Sequence, residues 1–389
     1  MRVFVLGVGA SGSLLAQLLH KQGHTVWCGD RDPERARKFL GKKSPIAIQQ
    51  VNARNLWGMV RAARSCHLLV NAGPAIFNQI VMRAALRLGA HYLDLAAHLG
   101  RNPFKPEQFR YARRFEKKRR VAVCTAGVAP GLTNLLVARS AEMLDRVESA
   151  RIYLFEESES EDPISQWSGE EIFREAVARP RVYRDGRFHL GRRFDEREKF
   201  RFPPPIGETP VVLAAQDEVT TLPYAIPMRE AFVKIGGNEI ERLRRWYRQG
   251  KLSKSRGPVA ARFPRTPTPR LVARLIRRGV LHNARLALAV VVRGEKKERP
   301  LEVRWDASFP TLYQIRQRGL FSTPVAYATA HLAALFVKHF PRDEGGVFPP
   351  EALPLETRRA ILADAKARGV RLQMKQTWLK PPDDEDELA

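Results

Sequence analysis

Cysteine is scarce in this sequence, and no apolar stretch has the length of a membrane span. The 389 residues include three cysteines, Cys28, Cys66 and Cys124, and no two of them have the spacing of a metal site or a redox pair. We therefore expect reduced, buried thiols, no disulfide framework, no metal and a cytoplasmic location. Serine, threonine, proline and histidine interrupt the most apolar stretch, residues 321–337. A bilayer span needs about 18 or more apolar residues, so this stretch predicts a buried helix.

Acidic residues are also in the minority. The chain has 41 Asp and Glu residues against 67 Lys and Arg, which gives a formal net charge of +26. The basic residues concentrate in residues 110–120 and 242–278. Such segments can attract nucleic acid or another anion, but no nucleic-acid-binding motif accompanies them, and a general arginine bias explains them equally well. We therefore expect no nucleic-acid partner. The length and the 44% hydrophobic content predict a folded protein of two domains.

A glycine-rich segment near the start is the most informative motif. It reads Gly-Val-Gly-Ala-Ser-Gly over residues 7–12, after an apolar strand-like run and before a segment with helical spacing. In this order the first glycine permits a tight turn, the second lets the backbone approach a pyrophosphate, and the third lets helix and strand pack closely. The motif predicts a dinucleotide-binding site whose contacts include Gly7, Gly9, Ala10, Ser11 and Gly12.

The end of the second predicted strand bears on which dinucleotide binds. Residues 25–28 are strand-like and lead to Gly29 and Asp30. A carboxylate at this distance from the glycines accepts hydrogen bonds from a free ribose 2′-OH and repels a 2′-phosphate, which favours NAD. The neighbouring Arg31 is able to pair with a 2′-phosphate, so NADP remains an alternative.

Strand and helix patterns alternate over the first 130 residues and predict a parallel sheet with crossover helices. The carboxyl ends of its strands share one edge, where ligands bind. The fourth predicted strand leads to Asn71, Ala72 and Gly73, which we expect at the nicotinamide ribose. The fifth leads to Asp94 and His98, our candidates for catalytic acid or base because histidine exchanges protons near neutral pH. A loop anchor is the alternative for Asp94, and a loop histidine without chemistry is the alternative for His98.

A Pro-Gly turn follows the sixth predicted strand. Pro130 and Gly131 precede an apolar helix, and a turn of this kind leaves backbone N–H groups free at the helix start. Together with Asn134 they predict a binding site for a substrate carboxylate. Ordinary first-turn residues are the alternative.

Beyond residue 145 the pattern changes to alternating strands and long polar loops. Strand-like segments recur at 147–155, 211–215, 232–235, 286–292 and 301–305. They predict an inserted α+β domain with antiparallel strands. An acidic run occupies residues 383–387, and we expect a disordered tail from 376 onward.

At this point the residues resemble a known group, the saccharopine dehydrogenase-like superfamily, and within it lysine 6-dehydrogenases. The matching stretches are residues 3–9, 70–74 with 77–78, 91–95 with 98–100, 127–134 and 346–351. The resemblance implies an NAD(P)-dependent oxidoreductase acting on C–N bonds of amino acids or polyamine-like amines, and a homodimer. It also implies an α/β fold: a Rossmann domain (1–133), an inserted α+β substrate and dimerisation domain (134–320), C-terminal helices that return to the Rossmann sheet (321–375), and the tail (376–389).

One position departs from this family. Lysine-oxidising relatives have an acidic residue where this chain has Thr125, and threonine supplies no charge for a substrate ammonium. Glu218, in a segment that resembles the family's turn around Thr221, is the candidate for the missing carboxylate, and an exposed loop acid is its alternative. The missing acid also leaves open a different class of function: a non-catalytic dinucleotide sensor whose basic segment, 242–278, binds an anionic partner.

Overall fold

Two sheets organise the structure, a computed structural model that describes residues 1–252 and 266–380. In chain order the strands are β1 (Arg2–Leu6), β2 (Thr25–Asp30), β3 (Ala47–Gln50), β4 (Leu68–Asn71), β5 (His91–Asp94), β6 (Val121–Val123), β7 (Arg146–Ser160), β8 (Arg181–Arg184), β9 (Arg187–Leu190), β10 (Glu198–Arg201), β11 (Glu208–Leu213), β12 (Glu230–Gly236), β13 (Leu281–Lys296), β14 (Arg299–Ser308), β15 (Gly346–Phe348) and β16 (Arg371–Trp378).

The helices alternate with strands in the first third of the chain and are more scattered later. They are α1 (Ala10–Lys21), α2 (Pro33–Leu40), α3 (Leu56–Ala62), α4 (Asn78–Leu88), α5 (Ala112–Lys117), α6 (Leu132–Ala141), α7 (Gly169–Val177), α8 (Leu222–Ala225), α9 (Asn238–Arg248), α10 (Pro269–Arg277), α11 (Leu312–Gln317), α12 (Pro324–Lys338) and α13 (Leu355–Ala367). Short 3₁₀ turns include Glu107–Tyr111, Glu218–Thr220 and Pro350–Ala352.

The first sheet has seven strands in the order β3-β2-β1-β4-β5-β6-β15, all of them parallel. The strand order reverses between β1 and β4, which creates a crevice at the carboxyl edge where these two strands diverge. Helix α12 packs against α1 on one face of this sheet. The C-terminal part of the chain thus returns to the first domain, and the predicted α/β fold with a Rossmann sheet and an inserted α+β domain is confirmed.

The second sheet has the central order β10-β11-β12-β7-β13-β14-β16, and β8 and β9 extend from β12. The predicted strands are present, but the prediction that all of them pair antiparallel is wrong. Strand β12 runs parallel to β7 because the chain between them crosses over through α7 and the β8–β11 hairpins. One buried apolar cluster includes Val5 of β1, Leu136 of α6 and Val290 of β13, so the two sheets share a core.

Two short strands near the C-terminus differ from the predicted turn, helices and tail. Gly346–Phe348 form β15, which pairs with β6 as the seventh strand of the Rossmann sheet. Residues 371–378 form β16, which pairs with β14, so the predicted start of the tail at residue 376 falls inside a strand. The acidic residues 383–387 lie outside the described residues. Both strands depend on a distant partner, and neither has a distinctive pattern of its own.

Candidate active site

The glycine turn lies at the crevice between β1 and β4. A Cβ on Gly7 would meet the backbone N of Gly73 at 2.6 Å, and one on Gly12 would meet the carbonyl O of Gly7 at 2.0 Å. Gly7 also has a φ of +88°, which glycine adopts without strain. By contrast, nothing lies within 4 Å of a Cβ built on Gly9. Gly7 and Gly12 are therefore required for packing, and Gly9 leaves open space at the N-terminus of α1, where a pyrophosphate fits.

Asp30 connects the end of β2 to this turn. Its Oδ2 accepts a hydrogen bond from Val8 N at 2.8 Å, and its Oδ1 accepts one from Asp32 N at 3.0 Å. The residue is 9% exposed, whereas the neighbouring Arg31 is exposed. Each carboxylate oxygen can accept a second hydrogen bond. Asp30 therefore holds the glycine turn in place and keeps acceptor capacity for a ribose hydroxyl.

The Asn71–Gly73 turn faces the glycine turn through its backbone. The Asn71 side chain points inward: its Oδ1 accepts from Gly73 N at 3.1 Å, and its Nδ2 donates to Asn78 Oδ1 at 2.6 Å. Asn78 in turn donates to the carbonyl O of Ala96 at 2.9 Å. These contacts fix the loops after β4 and β5 relative to each other. The predicted cofactor residues Asn71, Ala72 and Gly73 thus line the crevice as a shaped turn, with the Asn71 amide already bonded.

Asp94 is fully buried at the end of β5. Its carboxylate accepts hydrogen bonds from Tyr92 Oη at 2.9 Å, Gln108 Nε2 at 3.0 Å and Thr125 N at 2.7 Å. Burial raises the pKa of Asp94 to about 7, although these three donors oppose the shift. With 0% exposure and three donors, the carboxylate anchors the loops after β5 and β6. The structure thus gives Asp94 the contacts of a loop anchor.

His98 is the predicted catalytic residue that the structure leaves accessible. Its side chain is 25% exposed, and its Nε2 lies 3.6 Å from Glu107 Oε2. The backbone fixes this pair, because Glu107 N donates to the carbonyl O of His98 at 2.9 Å. A Cβ on Gly100 would lie 1.9 Å from Glu107 Oε1, so glycine at position 100 makes room for the carboxylate. A histidine oriented by a carboxylate is a common arrangement for acid–base catalysis.

Asp217 joins the second domain to the His98 loop. Its Oδ2 accepts from Ala97 N at 2.9 Å, and its Oδ1 lies 3.4 Å from Arg181 Nη2. Burial raises the pKa of Asp217, while Arg181 and His98 oppose that shift by their charges. Asp217 thus holds the His98 loop through the backbone of Ala97, and its charge is offset by Arg181.

Glu218 lies in a separate buried network between three segments. Its Oε1 accepts from Thr133 Oγ1 at 2.8 Å, and burial raises its pKa to about 7. Asn134 Nδ2 donates to Thr221 Oγ1 at 3.1 Å and to Glu351 Oε2 at 3.0 Å. Burial raises the pKa of Glu351 to about 7 as well. The structure thus brings the predicted residues Glu218, Asn134 and Thr221 together, but all three are buried.

The Pro-Gly turn does not offer the predicted N–H donors. Gly131 N donates to Asn134 Oδ1 at 3.0 Å, Leu132 N to the carbonyl O of Gly127, and Thr133 N to the carbonyl O of Val128. The expectation that these N–H groups face a substrate carboxylate is therefore wrong, because the turn is closed on itself. The neighbouring Pro130 is partly exposed.

Thr125 is also withdrawn from the crevice. It is 0% exposed, its hydroxyl donates to the carbonyl O of Cys124 at 2.7 Å, and its φ is +58°. The left-handed backbone is held by the bond from Thr125 N to Asp94. In the structure the Thr125 side chain thus has the contacts of a buried loop residue.

Sequence reasoning missed Glu107, Asp217, Arg181 and Glu351. Glu351 lies in the resembling stretch 346–351, so that stretch was a usable signal. Asp217 adjoins Glu218 in the segment that resembles the family's turn, so that segment was a usable signal too. Glu107 and Arg181 have no local signature. In residues 1–252 and 266–380, no three His, Cys, Asp or Glu side chains are grouped to hold a metal ion. No helix in the described part of the chain has the length and hydropathy of a transmembrane helix.

Comparisons with known proteins agree with this geometry. Residues 3–123 match the family model of the saccharopine dehydrogenase NADP binding domain. Among solved structures, apo saccharopine dehydrogenase (L-Glu forming) from Saccharomyces cerevisiae aligns with a TM-score of 0.71 at 12% identity, over 97% of this chain and 99% of that one. A probable dehydrogenase from Thermotoga maritima aligns with a TM-score of 0.45 at 10% identity, over 97% and 98% of the two chains. Only the first of these scores supports an argument about the fold.

The family match and the open space over Gly9 together establish NAD(P) as the cofactor class. Closeness to lysine 6-dehydrogenase stays a prediction. Residues 3–123 are thus a saccharopine dehydrogenase-type NAD(P)-binding domain, and the whole chain has the fold of saccharopine dehydrogenase, as the resemblance to that superfamily predicted.

Proposed function

We propose that this protein is an NAD(P)-dependent oxidoreductase that removes a hydride from an amine-bearing carbon, with His98 as proton acceptor. The observation that supports this most is the position of the His98–Glu107 pair. It is partly accessible and follows β5, the neighbour of β4, whose end we expect at the nicotinamide ribose. The dehydrogenase name of the structural neighbour from Saccharomyces cerevisiae agrees with this class of reaction.

Bound NAD(P)⁺ would supply the hydride acceptor, and the protein's residues would supply position and proton transfer. A protonated amine has no lone pair to form an iminium ion, so the ammonium must first lose a proton. In the described residues Nε2 of His98 faces Glu107, and Nδ1 has no hydrogen-bond partner, so Nδ1 takes that proton. Glu107 then stabilises the imidazolium. The C–H hydride leaves for the cofactor, and water hydrolyses the resulting iminium ion.

The substrate class is inferred from the family resemblance and not from charge. Arg110 Nη1 lies 3.6 Å from Glu107 Oε1 and Arg181 Nη2 lies 3.4 Å from Asp217 Oδ1, so arginines offset both carboxylates near His98. The resemblance to the saccharopine dehydrogenase-like superfamily favours an amino acid or a polyamine-like amine. The buried Glu218 and Thr125 are not needed as direct ligands in this scheme. We also infer that NAD is preferred over NADP, because the Asp30 carboxylate at the ribose position repels a 2′-phosphate.

The experiment is a cofactor-reduction assay, read at about 340 nm, with NAD or NADP and a panel of amino acids, diamines and polyamines. Formation of reduced cofactor with an amine, and none with the corresponding alcohol, is the expected result. Cofactor binding without turnover in either direction would contradict the proposal and favour a dinucleotide sensor. Turnover with hydroxy acids alone would retain the oxidoreductase class and refute the amine.

A further inference from the structure

A basic cavity lies in the second domain, lined by residues that the proposed reaction does not use. Its volume is about 440 Å³, within the range of small-molecule sites. Five arginines from three separate segments line it: Arg179 after α7, Arg192 and Arg193 after β9, and Arg244 and Arg248 on α9. Convergence of three segments makes this a concave site rather than a charged helix face.

The positive charge in this cavity is largely uncompensated. Among the described residues that line it, Asp195 is the one carboxylate. Arg244 Nη1 lies 3.6 Å from Glu241 Oε2, just outside the lining. No described carboxylate forms an ion pair with Arg192, Arg193 or Arg248. Like charges held together in this way repel one another, and an anion between them removes the repulsion.

Arg193 and Arg179 contribute differently to the wall. The Nε of Arg193 is buried, so a ligand in the cavity does not reach this atom, and any contact comes from the terminal guanidinium nitrogens. The Nε of Arg179 donates to the carbonyl O of Gly191 at 3.2 Å. Arg179 therefore braces the wall, whereas no ion pair with a described carboxylate holds Arg193.

Tyr247 forms an aromatic part of the wall. Its ring centroid lies 5.4 Å from that of Phe194 and 5.8 Å from the Arg193 guanidinium. The side chain is 41% exposed, so part of the ring remains accessible to a ligand. An aromatic face beside several guanidiniums suits a base attached to phosphates, since guanidinium binds phosphate oxygens in a bidentate manner.

We propose that this cavity is a second binding site, separate from the cofactor crevice, for the polyphosphate group of a small molecule. Arg192, Arg193 and Arg248 bind the phosphate oxygens through the terminal nitrogens of their guanidinium groups. Tyr247 contacts a base where the ligand has one. Free polyphosphate and a nucleoside triphosphate share this chemistry.

The test is calorimetric titration of the full chain with sodium tripolyphosphate and, separately, with ATP, at about 50 mM and about 200 mM salt. With the cofactor crevice saturated with NAD, we expect saturable binding of one ligand per chain. The double variant Arg192→Glu/Arg248→Glu should lose at least about tenfold in affinity for both ligands. The matched control is Arg113→Glu/Lys118→Glu, which makes the same charge change at exposed positions of the cofactor domain and should retain affinity.

Tyr247→Ala distinguishes the two sources of the phosphate. If Tyr247→Ala loses affinity for ATP and keeps the wild-type affinity for tripolyphosphate, the cavity binds a nucleotide. If Tyr247→Ala keeps the wild-type affinity for both ligands, the cavity binds free polyphosphate. Either result supports the site. Absence of saturable binding overturns it. An equal loss of affinity in both double variants would also overturn it, because it would indicate general charge attraction. Tighter binding of single-stranded RNA than of either ligand would overturn it as well. Each result is independent of amine oxidation, because no turnover is measured.

Discussion

Two groups of ionisable side chains near the carboxyl edge of the Rossmann sheet differ in their access to solvent. His98 follows β5, Glu107 begins the 3₁₀ turn 107–111, and the His98 side chain is 25% exposed. Asp94 and Glu218 are both 0% exposed and accept hydrogen bonds from protein groups. A position at a strand end thus brings a residue to the edge of the sheet, but packing decides whether a ligand can reach it.

The same comparison shows what a raised pKa means here. The pKa values of Asp94 and Glu218 rise to about 7 because burial penalises the charged form. Structural carboxylates and catalytic ones share that cause, so the shift alone identifies neither. Accessibility together with an orienting partner separates His98 from the buried group. The predictions below test this separation.

The largest expected effect is that of His98→Ala on turnover. Loss of the proton acceptor should lower kcat by about 10² or more, while affinity for NAD stays nearly unchanged, because His98 has no contact with the glycine turn or Asp30. Steady-state kinetics and cofactor titration measure both quantities. His282→Ala, at an exposed histidine of β13, is the control. Unchanged turnover in His98→Ala would show that this residue has no part in the reaction. Accessibility would then not distinguish catalytic from structural groups.

Asp94→Ala should instead act on stability. The substitution leaves Tyr92 Oη, Gln108 Nε2 and Thr125 N without their shared acceptor, and we expect a loss of about 3 kcal/mol in the free energy of unfolding. Urea unfolding measures it. Asp94→Asn, which keeps one acceptor oxygen, should lose less. If Asp94→Ala kept its stability and lost turnover as His98→Ala does, Asp94 would belong with the accessible group.

Glu218 predicts a pH dependence of stability with a definite sign. A glutamate carboxyl ordinarily has a pKa of 4.5, and burial raises the pKa of Glu218 in the folded protein to about 7. Between these values the folded state binds more protons than the unfolded state, so stability falls as the pH rises, and the full cost is present above about 7.

Glu218→Gln is neutral at every pH and should flatten this dependence. Between about pH 5 and about pH 8 we expect the wild type to lose about 2 kcal/mol more than the variant, measured by chemical unfolding at each pH. Glu344→Gln, at an exposed position, should follow the wild type. Equal slopes for Glu218→Gln and the wild type would show that Glu218 is ionised in the folded protein, contrary to its burial.

Glu107→Gln should have a smaller effect on turnover than His98→Ala. Glu107 is a positioning residue, so we expect kcat to fall about tenfold and the acid limb of the pH–rate profile to move to lower pH. Gly100→Ala should reproduce part of this without a charge change, because the new Cβ would meet Glu107 Oε1. A purely structural role for Glu107 would leave the pH profile in place, and that result would contradict the pairing.

The sequence predicted which residues lie at the edge of the sheet better than it predicted which of them stay accessible. Parallel-sheet logic correctly brought the Gly7 turn, Asp30, Asn71, Asp94 and His98 to one edge, because strand ends of a parallel sheet coincide. Which of these side chains stays accessible depends on the turn 107–111 and on the second domain, and no local pattern fixes those contacts. For the same reason β15 and β16 were not predicted, since a short strand exists only through its partner.

Asp30 tests whether a buried side chain can still contact a ligand. It is 9% exposed, both its oxygens accept backbone N–H groups, and yet we propose that it also accepts a ribose hydroxyl. Asp30→Asn keeps the size and removes the charge, so NAD affinity should fall by a factor of about three to ten and discrimination against NADP should relax. Titrations with both cofactors measure this. Unchanged preference would mean that Asp30 serves the glycine turn alone and that cofactor choice depends on the exposed Arg31.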